Sequence, residues 1–167
     1  MILRAADPID FPAILTLNEE SESFLSPLSM AQLVVLHEKA ALHLVVEQAG
    51  QVTAFLLALR EHVAYDSVNY QWFENRYPSF LYIDRVVVGR SVQAKGTGSL
   101  MYGQLFAHAE QYEVPLITCE YDIDPPNPAS ARFHTKFGFR EVGRQSVGNG
   151  KKQVSLQVAK TKAATLL

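Results

Sequence analysis

The sequence has little cysteine and no long apolar run. Its single cysteine, Cys119, has no second thiol in the 167-residue chain with which to form a disulfide, so a small scaffold held together by disulfide bonds is excluded. Residues 116–119 are typical of a buried strand, and a reducing, cytoplasmic setting is expected. No apolar stretch approaches the roughly 20 residues that span a bilayer, and residues 1–7 lack the layout of a signal peptide. A soluble protein that does not act at a membrane is therefore predicted.

An excess of charge of either sign is also absent. The chain has 15 Lys and Arg against 17 Asp and Glu, a formal net charge of −2, and this balance argues against a nucleic-acid partner. Its five histidines show no close spacing to one another or to Cys119, so no metal site is predicted. The sequence does contain 48% hydrophobic residues, enough for the core of one domain. We predict a single domain over residues 1–158 and a loosely held C-terminal tail over residues 159–167.

Alternating strand-like and helix-like segments indicate an α/β protein. A short first strand is followed by two helices, the first ending near Phe24 and the second capped by Ser29. Residues 42–47 and 52–59 are apolar strands that predict a hairpin. Residues 60–77 mix aromatic and polar side chains without a clear period, which favours an irregular loop on the substrate side, with short helical turns possible.

The second half of the chain predicts a βαβ unit. Residues 80–88 are strand-like, a glycine-containing turn follows, residues 99–112 have helical spacing, and residues 116–121 form another strand. The two strands of such a unit are parallel and joined by a right-handed crossover. A short helix over residues 128–137 and a closing hairpin over residues 139–158 complete the pattern.

The turn of the βαβ unit, residues 93–99, is the most informative segment. Gly96 and Gly98 let the backbone come close to a ligand, and the free amides of a helix start favour phosphate. Lys95 adds a cation. Taken alone, such a glycine pair also fits an ordinary strand-to-helix turn. The lysine precedes the glycines and a third glycine is missing, so neither a P-loop ATPase nor a Rossmann dehydrogenase is expected.

Two blocks of sequence together point to one family. Gln93, Gly96 and Gly98 fit a Gln/Arg-x-x-Gly-x-Gly/Ala pattern, and residues 127–139 are similar to a later segment in which an Asn opens a helix and a Gly-Phe pair ends it. In this order the blocks resemble the GCN5-related N-acetyltransferase (GNAT) superfamily over nearly the whole chain. The resemblance implies an α/β (α+β) fold with a mixed central sheet of about seven strands, about four flanking helices and a splayed parallel strand pair.

The resemblance also implies acetyl-CoA as the acyl donor and places its binding residues. Main-chain groups of Val86, Val87 and Val88 are expected to meet the pantetheine arm and the thioester. The residues expected at the pyrophosphate are Gln93, Ala94, Lys95, Gly96, Thr97, Gly98 and Ser99. Further cofactor contacts are expected from Asn127, Ser130, Phe133 and Lys136, although Asn127 is equally explained as a helix cap.

Acyl transfer to an amine needs a neutral amine, stabilisation of the oxyanion and a proton for the departing thiolate. In many relatives a tyrosine seven residues after the Asn gives that proton, and this chain departs from the pattern with His134 there. His134 and Tyr121 are alternative acids, and either can also be purely structural. The candidate bases are three carboxylates, each of which also fits an ordinary solvated or ion-paired role: Glu120, Asp122 and Asp84.

The acceptor is left open as a small-molecule amine, an amino acid or a protein terminus. The aromatic and acidic side chains of residues 60–77, Trp72 and Glu74 among them, suit a cationic amine. The alternative function is a CoA-binding or acyl-CoA-binding sensor or interaction module that has lost transfer, because the expected tyrosine is missing. An exposed terminal hairpin or edge strand can pair two copies, so a homodimer is a further possibility.

Overall fold

The computed structural model describes residues 1–166 as seven strands, five α-helices and three short 3-10 turns. The strands are β1 (Ile2–Ala5), β2 (Leu42–Gln48), β3 (Gln51–Arg60), β4 (Leu81–Val88), β5 (Leu116–Asp124), β6 (Arg140–Val147) and β7 (Lys152–Lys160). The helices are α1 (Phe11–Glu20), α2 (Met30–Lys39), α3 (Val68–Glu74), α4 (Thr97–Gln111) and α5 (Pro128–Lys136). The 3-10 turns are Pro8–Asp10, Arg90–Val92 and Lys162–Leu166.

All seven strands belong to one mixed sheet, in the order β1-β2-β3-β4-β5-β7-β6. β4 and β5 are parallel, with Leu81 opposite Ile117 and Tyr82 opposite Thr118. β1 with β2, β2 with β3, β5 with β7 and β6 with β7 are antiparallel. The predicted mixed sheet of seven strands and its parallel pair are confirmed, with five α-helices in place of about four. The splaying of that pair stays a prediction.

The chain forms two compact units. The first contains Met1–Leu59 and Ile83–His108, and the second contains Arg60–Tyr82 and the described residues from Ala109 onward. β4 therefore gives its first two residues to the second unit and the others to the first. Within residues 1–166, no helix combines the length and the apolar character needed to cross a bilayer.

The core of the first unit lies on the central strands. Residues 54–59 of β3 are all fully buried, as expected for a strand covered on both faces. α1 buries Ile14, and α2 buries Leu33 and Leu36. The predicted cap of α2 is present, because Ser29 and Gln32 form a capping box with bonds of 2.9 and 3.2 Å. α1 ends at Glu20, earlier than the end predicted near Phe24.

Residues 60–77 of the second unit are more regular than predicted. They contain α3, whose start is capped by Ser67, since its hydroxyl accepts a hydrogen bond from the Tyr70 amide at 3.3 Å. Tyr70 and Phe73 are buried one helical turn apart. The buried face of α3 consists of these two residues. A pair is too short to show a helical period among the neighbouring aromatic residues.

The predicted loosely held tail from Ala159 needs correction. β7 continues through Lys160, and Ala159 and Thr161 are buried. The Thr161 amide donates to the Pro115 carbonyl at 3.0 Å, and the Thr161 hydroxyl donates to the Val114 carbonyl at 2.6 Å. These bonds hold the end of β7 to the turn before β5, and they explain why the strand outlasts the apolar pattern that ended at Val158. Residue 167 lies outside the described residues.

Candidate functional site

The last residues of β4 expose one face of the strand in the first unit. Arg85 and Val87 are buried, whereas Val86 and Val88 are partly exposed, as the alternation of side chains along a strand requires. The Val88 carbonyl accepts a hydrogen bond from the Gln93 side chain at 3.2 Å. Gln93, one of the family-pattern residues, thus contacts the backbone that the resemblance assigns to CoA.

The loop between β4 and α4 uses left-handed backbone at two positions. Ala94 has φ of 62° and Gly96 has φ of 81°, a conformation that favours glycine. A Cβ built on Gly96 meets nothing within 4 Å, so the glycine is explained by its φ and leaves open space beside the backbone. The Lys95 ammonium donates to the Ser91 carbonyl at 3.0 Å and folds back on the loop.

The start of α4 has the properties of an anion site. The Leu100 amide donates to the Gly96 carbonyl at 3.0 Å, so the amides of residues 97–99 precede that first bond of the helix. Thr97 is buried, with its hydroxyl 3.5 Å from the Val92 carbonyl, which fixes the turn from inside. Amides and dipole at the start of a helix of this length favour a phosphate group.

A small cavity of ≈ 140 Å³ lies at the end of β4. Its walls come from the end of α1 and the segment after it, and from the end of β4 with the loop that follows. They include Glu20, Ser21, Phe24, Val88, Arg90 and Gln93. Residues 20–24 were not predicted to lie here, because no local pattern indicates which strand end a connecting segment meets.

The candidate residues of the second unit lie on β5 and α5. Glu120 and Tyr121 are neighbours on β5, so their side chains leave opposite faces of the sheet. The Tyr82 hydroxyl lies 2.9 Å from each carboxylate oxygen of Glu120. Tyr82 is buried and in ring contact with Tyr70 and Phe73. Tyr82 was not among the predicted residues, because its bond with Glu120 depends on the register of two strands far apart in sequence.

Tyr121 and His134 are brought together in the second unit. Their ring centroids are 5.5 Å apart, so the two alternative acids lie on the same side of β5. Burial raises the pKa of Tyr121, and a hydrogen bond with Ser155 partly offsets that shift. The Tyr121 hydroxyl therefore keeps its proton at neutral pH.

His134 is held as a neutral ring. It is buried, and its Nδ1 lies 2.8 Å from the Ser130 carbonyl. A carbonyl only accepts hydrogen bonds, so Nδ1 carries the proton. Burial lowers the pKa of His134, although the bond to Ser130 works in the opposite direction. The Nδ1 proton is thus donated to a backbone carbonyl of the same helix.

The other residues predicted on α5 have visible structural roles or lie at the surface. Asn127 caps the helix, because its side chain accepts from the Ser130 amide at 3.3 Å. Phe133 makes ring contacts with His134 and Phe137. Lys136 is exposed. The cap and the ring contacts stabilise the helix. The contacts of these residues with the cofactor stay predictions.

The candidate carboxylates divide between the two units. Asp84, in the first unit, has a side chain that is 5% exposed and lies 3.2 Å from the Arg85 guanidinium. Asp122, in the second unit, lies 3.3 Å from the Lys152 ammonium. Each of these two carboxylates is thus paired with a cation of its own unit.

Solved structures share this fold. Ard1 from Thermoplasma volcanium matches with a TM-score of 0.79 at 15% identity, covering 96% of this chain and 97% of that one. The ribosomal-protein-S18-alanine N-acetyltransferase of Escherichia coli matches with a TM-score of 0.72 at 15% identity, covering 95% and 92%. Naa20 from Chaetomium thermophilum, solved with a bisubstrate analogue, matches with a TM-score of 0.80 at 15% identity, covering 99% and 90%. At such low identity the likeness establishes the fold.

Sequence comparison establishes the family. Residues 11–139 match the acetyltransferase (GNAT) family, a stretch that includes the β4 end, the glycine loop and α5. The chain belongs to this family, and the resemblance seen in its two sequence blocks is confirmed. Curated protein sequences contain no match to the chain.

Proposed function

We propose that this protein is an N-acetyltransferase that moves an acetyl group from acetyl-CoA to a primary amine by direct attack of the amine on the thioester. The observation that carries the proposal is the start of α4, where the amides of residues 97–99 follow the left-handed Gly96 in a chain of the GNAT family. Those amides are suited to the pyrophosphate of CoA. Acetyl-CoA, when bound, supplies the electrophilic carbonyl carbon.

The chain contributes two kinds of cofactor contact in this proposal. Backbone groups of Val86, Val87 and Val88 pair with the pantetheine arm and stabilise the oxyanion. The loop from Gln93 to Ser99 holds the pyrophosphate. Both sets belong to the first unit and are joined by the bond between the Gln93 side chain and the Val88 carbonyl.

The reaction needs two proton transfers. As the amine nitrogen bonds to the carbonyl carbon it must lose a proton, and as the carbon–sulfur bond breaks the thiolate must gain one. We assign the second transfer to Tyr121, which keeps its proton at neutral pH, and the first to water, because the Glu120 carboxylate leaves the opposite face of β5 and is bonded to Tyr82. His134 is assigned a structural role, because its pKa is lowered and its proton is bonded to Ser130.

The acceptor class is a primary amine, which includes small amines, amino acids and protein termini. Support for including a protein terminus comes from the structural neighbour named as a ribosomal-protein-S18-alanine N-acetyltransferase. For its setting, we propose the reducing cytoplasm, where the buried thiol of Cys119 stays reduced. We also propose that the chain acts as a single domain that extends past the predicted boundary at residue 158, because β7 continues through Lys160. A homodimer through an exposed terminal hairpin or edge strand stays a prediction.

Release of free thiol from acetyl-CoA tests the proposal directly. Wild-type protein is mixed with acetyl-CoA and a panel of small amines, amino acids and peptides with free N-termini, and we expect turnover with at least one acceptor. Binding of CoA without turnover on any acceptor would favour the sensor or interaction module. No binding of CoA, seen as no rise in melting temperature at a few hundred micromolar, would overturn both functions.

The glycine loop offers a variant with a matched control. Gly96 and Gly150 both have φ of 81°, and a Cβ on either meets nothing within 4 Å. Gly96→Ala and Gly150→Ala should therefore lose similar stability, about 1 kcal/mol each. Only Gly96→Ala should weaken CoA binding, by about tenfold or more, since it moves the amides that meet phosphate. Equal CoA affinities in the two variants would contradict the assigned cradle.

A further inference from the structure

Arg85 is a buried cation with a partner at each of its three nitrogens. Its side chain is 7% exposed, and burying a guanidinium is costly unless its N–H groups are bonded. Nε donates to Asp84 at 3.2 Å, Nη1 to the side chain of Asn18 at 2.9 Å, and Nη2 to the Ser26 hydroxyl at 2.9 Å. One residue of β4 thus bonds with α1 and with the segment that follows α1.

The bonds converge on Ser26. Its carbonyl accepts from Arg85 Nη1 at 2.7 Å and from the side-chain Nδ2 of Asn18 at 3.1 Å, and its hydroxyl accepts from Nη2. Ser26 is itself exposed and lies in the segment between α1 and α2, residues 21–29, which we call the α1–α2 segment. Because Ser26 itself buries little apolar surface, this set of bonds accounts for the position of Ser26.

The α1–α2 segment forms one wall of the cavity at the end of β4. Ser21 and Phe24 line it from the segment, and Val88 and Gln93 line it from the other side. Val88 and Gln93 are residues to which the proposed function assigns CoA. Arg85 points to the opposite face of β4 from Val88, so it influences this cavity through the segment.

We propose that Arg85 is a positioning residue that fixes the α1–α2 segment before the cofactor binds and thereby sets the affinity for CoA. The proposal rests on the proposed function, since it takes the cavity wall beside Val88 and Gln93 as part of the CoA site. A wall that is already ordered loses less conformational entropy when a ligand binds, and this strengthens binding. Arg85 acts without touching the ligand.

The test measures CoA affinity by calorimetry in four proteins: wild type, Arg85→Lys, Ser26→Ala and the double variant. Lysine keeps the charge beside Asp84 but loses the fork that reaches Ser26, so we expect the Kd for CoA to rise about tenfold. Ser26→Ala removes one bond at an exposed position and should raise the Kd about threefold. Since both changes break the same connection, the double variant should match Arg85→Lys alone.

Arg140→Lys is the matched control, because Arg140 is an exposed arginine of β6, and its Kd should stay at the wild-type value. Wild-type affinity in both Arg85→Lys and Ser26→Ala would overturn the positioning role and leave the proposed function standing. Effects that multiply in the double variant would also overturn it, because Arg85 would then act independently of Ser26. A wild-type protein that binds no CoA would overturn both. If Arg85→Lys fails to fold, wild-type affinity in Ser26→Ala alone overturns the positioning role.

Discussion

His43 makes the stability of the protein depend on pH through a single side chain. It is buried, and its Nδ1 lies 2.8 Å from Nδ1 of His37. Burial, and to a lesser extent the neighbouring His37, lower the pKa of His43 to about 4, while Asp10 has a smaller opposing effect. The folded protein therefore binds this proton less readily than the unfolded chain, in which the pKa is about 6.5.

The sign of the resulting pH dependence follows from linkage. Stability from the neutral ring is present above pH 6.5 and is lost as the pH falls from there towards 4, which amounts to roughly 3 kcal/mol at pH 4. Urea unfolding at pH 7 and pH 4 should show this loss in the wild type and a smaller loss in His43→Phe. His62→Gln, at a histidine whose side chain is 78% exposed, is the control and should keep the wild-type loss.

Tyr121 and His134 should respond differently to substitution. Tyr121→Phe removes only the hydroxyl, and if this hydroxyl is the acid, kcat should fall about 10²-fold or more with CoA affinity retained. His134→Gln removes a buried ring that is bonded to Ser130, so it should lower the melting temperature and change kcat by less than about tenfold. The measurement is thiol release on the best acceptor. A larger loss of kcat in His134→Gln would reverse the assignment.

Single residues were predictable where their role is local. The caps at Ser29 and Asn127 could be assigned from the sequence because a helix cap is decided by neighbouring residues. The bonds of Arg85 with Ser26 and of Tyr82 with Glu120 join residues 59 and 38 positions apart. Hydrophobic periodicity cannot predict such pairs, because they form only when distant strands and connecting segments pack together in the fold.

Among the elements, the end of β7 differs most from its prediction. An apolar alternation marks a strand only as far as side chains face a core, and it stopped at Val158. The strand and the 3-10 turn after it are held instead by Thr161, which is buried and bonds with the carbonyls of Val114 and Pro115. Within residues 60–77 the sequence predicted no more than short helical turns, because two buried aromatic residues are too few to define the helical period of α3.

Thr161→Val tests how firmly this end is held. The substitution keeps the shape of the side chain and removes a hydroxyl that donates to a buried carbonyl, which should cost about 1–2 kcal/mol of unfolding free energy. The control is Thr135→Val, because Thr135 also donates to a carbonyl, that of Ala131 at 2.9 Å, but is exposed. There water replaces the lost bond, and the change should stay within about 0.5 kcal/mol. Equal losses of unfolding free energy in the two variants would show that the bond of Thr161 stabilises the fold no more than the exposed bond of Thr135.

At the scale of the whole molecule, three elements are divided between the two units: β3, β4 and α4. β4 has Leu81 and Tyr82 in the second unit and its remaining residues in the first. Because these elements run from one unit into the other, we propose that the units unfold together. The parallel pair was predictable, because a βαβ unit fixes the direction of two strands, and the mixed sheet of seven strands followed from the family resemblance. The division into two units was not predictable.

Calorimetry tests this cooperativity. One heat-capacity peak is expected, with a calorimetric enthalpy equal to the van't Hoff enthalpy, and the same midpoint should be reached by far-ultraviolet circular dichroism. Gly89→Ala provides a perturbation within the first unit alone, since a Cβ on Gly89 would lie 2.8 Å from the Thr53 carbonyl oxygen. This variant should lower the midpoint temperature of the single heat-capacity peak. Two separated peaks in this variant would show that each unit unfolds by itself.

The position of β7 between β5 and β6 has a consequence for synthesis on the ribosome. β5 is made first, then β6, and only afterwards the strand that lies between them. A nascent chain that has reached Val147 therefore has an edge of β5 and an edge of β6 that both lack β7, the strand with which they pair. Such edges invite pairing with neighbouring polypeptides, so translation products that stop before Lys152 should be recovered in the aggregated fraction.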